Sequence, residues 1–187
     1  MILQRPEDVQ IILPVFHSAS CCAGAVSSFL LRRIAYRAGS YAPGLQENLF
    51  HELVTYGAGS SLDAVNEWFA TRKSALHELG YLIHSRRATE RTPAILDWIK
   101  EGKGFRGAVL PTDYHRLHRQ SADAVSHAVG LTVDRIEASS SEELVMIDPW
   151  PGTGNGTRDR TQIPATLEAA HRSCNYQAII FFWSGWS

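Results

Sequence analysis

The second half of the chain is a succession of short apolar runs, FRGAVLP (105–111), SHAVGLTVDRI (126–136), EELVMIDPW (142–150) and YQAIIFFW (176–183), set apart by polar or glycine-rich stretches. Runs of this length, rich in β-branched and aromatic residues, read as strands. One helical segment, IPATLEAAHRS (163–173), interrupts them. The first half has the opposite texture. Ser20 is placed to cap a helix over Cys21–Arg37 that ends at Gly39, and further helices are predicted at Leu45–Thr55 and Leu62–Leu79. The second of these is preceded by Ser60 with Asp63 three residues on, a start like a capping box. Thr92-Pro93 opens a fourth helix, TPAILDWIKEGK, with proline in the first turn where its missing N–H costs nothing. Helices first and an antiparallel sheet afterwards make an α+β fold rather than an alternating α/β one. The expected organisation is one domain over 1–187, with a mainly helical lobe at 1–104 and a mainly β lobe at 105–187.

Composition narrows the functional classes. Eighteen Lys+Arg stand against 19 Asp+Glu, so bulk charge points to neither nucleic acid nor a membrane surface. No run of about 18 apolar residues offers a transmembrane helix. The start, MILQRPEDVQ, lacks the basic-then-apolar pattern of a secretion signal. The expected location is the cytoplasm, or export without a cleavable signal. Three cysteines, at 21, 22 and 174, do not make a disulfide framework, and two adjacent cysteines would form only a strained bridge.

Helical register separates that adjacent pair. Cys22, Val26, Phe29 and Arg33 share one largely apolar face, while Cys21, Gly24, Ala25 and Ser28 form a face of small residues that lets another layer approach. A helix N-terminus favours a thiolate, which makes Cys21 a candidate nucleophile, and simple burial of both cysteines is the alternative. A nucleophile needs a base. Of the eight histidines, His51, His77, His84, His115, His118 and His171 sit in helical or polar contexts and read as solvated or surface residues. His127 instead opens a strand, and the next strand ends on Asp148. If the two strands form a hairpin closed by the ASSSEE loop, the start of one lies beside the end of the other. His127 and Asp148 then become cross-strand neighbours, within reach of an Nδ1–H to carboxylate bond. The order Cys21, His127, Asp148 is that of a nucleophile, a base and its orienting acid.

In layout this resembles the papain-like cysteine peptidase superfamily, most closely the bacterial bacteriocin-leader (double-glycine) peptidases. The likeness is carried by Cys21-Cys22-Ala23-Gly24-Ala25-Val26, by His127-Ala128-Val129-Gly130-Leu131, by Asp148-Pro149, and by a helix at Ile95–Gly104 before the Phe105–Leu110 strand. The resemblance implies a papain-like fold, in which a central nucleophile helix packs on the antiparallel sheet. It also implies hydrolysis of a peptide or amide bond with Cys21, His127 and Asp148 as the catalytic residues. A peptide or protein substrate is expected, with no cofactor, no nucleic acid and no membrane; oligomeric state is open. The size fits a bacterial toxin or effector by analogy alone. The chain departs from the family at the oxyanion glutamine, usually about six residues before the nucleophile. Positions 15 and 16 are Val and Phe, and Gln10 or His17 would have to donate instead. That departure keeps open a binding or chaperone-like module with the same shell. Deamidation and acyl transfer by the same triad also stay open. So does a metal clip formed by His17, Cys21, Cys22 and His127, although adjacent cysteines are not the spacing structural zinc prefers.

Overall fold

A computed structural model describes residues 61–78, 83–101, 106–136, 141–148 and 163–183. The predicted helices at Cys21–Arg37 and Leu45–Thr55, and with them Cys21 and Cys22, lie outside these residues. In chain order the elements are α1 (Leu62–Glu78), β1 (Ile83–Thr89), α2 (Thr92–Lys100), β2 (Arg106–Asp113), α3 (Tyr114–Leu117), β3 (Ser126–Ile136), β4 (Ser141–Ile147), α4 (Leu167–Arg172) and β5 (Gln177–Trp183). The five strands form one sheet in the order β1-β5-β2-β3-β4, with every neighbouring pair antiparallel. The chain is therefore α+β. Among the described residues no helix is long and apolar enough to cross a membrane.

Local chemistry explains most of the boundaries. The α1 start is capped by Ser61, one residue later than expected, whose Oγ accepts from the Ala64 N–H at 3.3 Å. Helix α2 begins with Pro93 in its first turn, as predicted, and ends at Lys100 with the Glu101 N–H bonded to Asp97 O. Its N-terminus is served from another element, since the Thr92 N–H donates to Glu168 Oε2 at 3.1 Å. Pro111 sits within β2 but beyond Val109, the last β2 residue paired with β5, so its missing N–H breaks no ladder on that side.

Strand alternation gives the sheet two buried faces. On one, Ala88, Ala108, Leu110, Val129, Leu131, Met146, Ala178 and Ile180 pack with Ile95 and Ile99 of α2, Leu117 of α3, and Leu167 and Ala170 of α4. On the other, α1 brings Phe69 against Phe181 with ring centroids 5.0 Å apart, and Val109 and Ile179 are buried on that side.

Strand β1 was not expected from its sequence, and it falls within the segment assigned to the helical lobe. Its Ser85 and Arg87 face α1, where Ser85 Oγ donates to Asn66 Oδ1 at 3.0 Å and Arg87 Nε lies 3.1 Å from Asp63 Oδ1.

Candidate functional site

Three adjacent strands carry an apolar row on the α2–α4 face, and at one end of the sheet each row turns polar. In β2 the row runs Ala108, Leu110, Thr112. In β3 it runs back through Leu131 and Val129 to His127, and in β4 through Leu144 and Met146 to Asp148, one residue past the strand. Thr112 lies directly opposite His127 in the register. All three polar residues are buried: Thr112 at 0 %, His127 at 3 % and Asp148 at 6 % exposure. Burying such groups is unfavourable unless they find partners, so their clustering at one sheet end is a feature the sequence sustains at a cost.

The His127–Asp148 pairing expected from the hairpin is present, with two differences in detail. Gly130 pairs with Ile147, which sets Asp148 opposite Val129 and puts His127 two residues along on the same face. The two are thus diagonal rather than direct cross-strand neighbours, a separation long side chains span. The bond also uses the other ring nitrogen. His127 Nε2–H, not Nδ1–H, donates to Asp148 Oδ1 at 2.8 Å. The ring is long enough for its far nitrogen to cover the diagonal.

The β2–β3 connection completes the site. Asp113 caps α3, accepting from the N–H groups of His115 (3.0 Å) and Arg116 (3.4 Å), and the Tyr114 N–H bonds to Val125 O, which closes the connection on itself. Thr166 Oγ1 donates to Leu117 O at 2.7 Å and ties the turn to the segment before α4. So held, the connection lays Tyr114 edge-on to His127, with centroids 5.3 Å apart, and directs His118 to the carboxylate. His118 Nε2 lies 3.0 Å from Asp148 Oδ2, with its side chain 32 % exposed. The two oxygens of Asp148 therefore face two histidines, one bonded through Oδ1 and one close to Oδ2. Burial, with the Asp148 charge adding to it, pushes the Tyr114 phenol above its ordinary range.

Of the histidines read as solvated or surface residues, His118 is exposed as expected yet lies at the site, and His171 is buried. His118 belongs to the site. Its signal was present in the sequence, since DYHRLHRQ links the end of one site strand to the start of the next. His171 is fully buried elsewhere: Thr92 Oγ1–H donates to its Nδ1 and its Nε2–H donates to Gln177 O, both at 2.9 Å. A carbonyl can only accept, so Nε2 carries a proton, and burial, which lowers the pKa of the ring, favours the neutral form that leaves Nδ1 to accept. Thr112 was also missed; its buried hydroxyl has no hydrogen-bond partner among the described residues. Reading every second residue of AVLPTD finds it.

Among the described residues, the structure thus brings together His127 and Asp148 of the expected triad and adds His118 and Tyr114. Neither a scan of protein-family models nor a search of curated proteins finds a match to this chain.

Proposed function

We propose that the chain is a papain-like cysteine hydrolase acting on a peptide or amide bond, with Cys21 as nucleophile, His127 as general base and Asp148 as the group that orients it. The observation that carries the reading is the buried hydrogen bond from His127 Nε2–H to Asp148 Oδ1 at 2.8 Å. An ionised carboxylate on one ring nitrogen fixes the tautomer and stabilises the imidazolium that forms when the other nitrogen takes a proton. With Nε2 committed to Asp148, proton exchange with the thiol runs through Nδ1. Cys21 Sγ attacks the carbonyl carbon as its proton passes to His127 Nδ1. The imidazolium then returns that proton to the leaving nitrogen, and water releases the acyl group from sulfur. Deamidation and acyl transfer follow the same steps with a different leaving group or acceptor.

Alkylation of the full chain with substoichiometric iodoacetamide near neutral pH, mapped by mass spectrometry, tests the reading. Fast labelling confined to Cys21, slowed in His127→Ala, is the expected result. Predominant labelling of Cys22 or Cys174 overturns the assignment. Slow labelling throughout favours the non-catalytic binding module, for which Val15 and Phe16 in place of an oxyanion glutamine are the specific support.

A further inference from the structure

Two imidazoles converging on one carboxylate form a donor set with chemistry of its own. The ligand atoms of His118, His127 and Asp148 lie within 4.8 Å of one another. Imidazole nitrogen and carboxylate oxygen are the donors that borderline divalent ions accept, with zinc bonds of about 2.0–2.2 Å. A tetrahedral ion with such bonds holds its donors roughly 3.3 Å apart. The present Nε2–O separations, 2.8 Å to Oδ1 and 3.0 Å to Oδ2, run to different oxygens, so an ion taking one oxygen would draw the three donors together from within their 4.8 Å span. His127 and Asp148 are buried and His118 is partly exposed, so the cluster has a dry side that fixes ligands and a wet side by which an ion enters. The three donors come from the β2–β3 connection, the start of β3 and the end of β4.

We propose that His118, His127 and Asp148 bind a divalent transition ion, zinc foremost, and that the bound ion switches off His127 as a base. The switching, though not the binding, rests on the hydrolase reading above. Without metal, His127 carries a proton on Nε2 and donates it to Asp148. A metal takes the Nε2 lone pair, which leaves Nδ1 to hold the ring's proton. His127 protonated at Nδ1 cannot accept the thiol proton, and the nucleophile loses its base.

The test uses the full chain titrated with Zn²⁺ against a chromophoric chelator, and with Co²⁺ followed by absorption. One bound equivalent is expected, with a cobalt spectrum free of any thiolate charge-transfer band. Asp148→Asn and His118→Ala should each weaken binding about tenfold or more, with circular dichroism confirming that both remain folded. Absent binding, binding equally tight in both variants, or a thiolate band would overturn the site. Zinc should also slow alkylation of Cys21, and His118→Ala should need at least about tenfold more zinc for the same slowing. Stoichiometric zinc that leaves Cys21 reactivity unchanged overturns the switch and leaves the site standing. A Cys21 that is unreactive even without metal counts against the hydrolase reading, while the cobalt titration still decides the site.

Discussion

Among the described residues two histidines are buried, and the difference between their surroundings separates scaffold from candidate site. His171 lies within the apolar core with both ring nitrogens bonded to neutral groups, the Thr92 hydroxyl and the Gln177 carbonyl. Around it, Glu168 collects the Thr92 N–H, the Arg91 guanidinium and the Tyr176 hydroxyl, which binds α4 to the start of α2. Burial lowers the His171 pKa below its ordinary 6.5, outweighing the Gln177 bond and the Glu168 charge. His127 is as deeply buried, but its partner is a carboxylate shared with a second histidine. Neutral partners hold a ring still; a carboxylate lets it carry charge through a reaction. Burial alone does not mark a site, whereas the kind of partner does.

Replacing each histidine should expose that difference, and the largest effect belongs to His127. His127→Gln keeps an N–H for Asp148 and removes the base. Turnover of an activated amide or thioester probe is expected to fall at least about a thousandfold, roughly 4 kcal/mol, with the urea midpoint little changed. His171→Ala should do the reverse. It empties a fully buried site and strands the Thr92 hydroxyl and the Gln177 carbonyl, so stability should fall by about 2–4 kcal/mol while the folded fraction stays active. If both variants lose activity only in proportion to the protein that unfolds, the two histidines do not differ in kind.

How far this was readable beforehand depended on whether a signal was local. Strand β3 runs Ser126–Ile136 as its apolar pattern predicts, and the hairpin argument put His127 beside Asp148 because alternation and pairing follow from adjacent sequence. Strand β1, IHSRRAT, escaped notice because it is polar. It lies at the sheet edge, where charged side chains discourage further pairing, and its Ser85 and Arg87 meet Asn66 and Asp63 of the preceding helix α1, contacts that no alternation within IHSRRAT announces. Helix α3 is four residues held by one aspartate, too short for any periodicity to show. The place of His118 at the site and the burial of His171 were missed for a shared reason. Each sits among polar residues in sequence, and its partner is contributed by an element 30 and 79 residues away respectively.

Substituting the shared carboxylate sharpens the comparison from the other side. Asn at 148 preserves volume and can still accept from His127 Nε2–H, now 2.8 Å from Asp148, but it removes the charge that stabilises the imidazolium. Cysteine depends on its base less than serine does, because part of it is thiolate near neutral pH. Asp148→Asn should therefore lose roughly ten- to a hundredfold in rate, about 1.4–2.7 kcal/mol, and Asp148→Ala more. A pH profile of Cys21 alkylation unchanged in Asp148→Ala would show the carboxylate to be only the end of a strand.

The smallest effect is a slope. Because the folded-state pKa of His171 lies below 6.5, both the folded and the unfolded chain hold this ring neutral above that pH, and its contribution to stability is complete there. As pH falls through 6.5 the unfolded chain gains a proton that the folded chain resists, and stability declines, by at most about 1.4 kcal/mol per pH unit for one proton. The decline ends once the folded ring also protonates. Glu168 acts in a separate window. Burial pushes its carboxyl up, but hydrogen bonds from Thr92, Tyr176 and Arg91, with the Arg91 charge, outweigh that and hold it below 4.5. Its stabilising share is therefore present above 4.5 and lost as pH falls through the lowered value. Urea midpoints measured from about pH 7.5 down to 5 isolate the histidine window. His171→Gln, which has no ring to protonate, should give a flatter profile than the wild type across that range. Parallel profiles would mean that His171 takes up its proton in the folded protein as readily as in the unfolded chain, and the contrast with His127 would lose its basis.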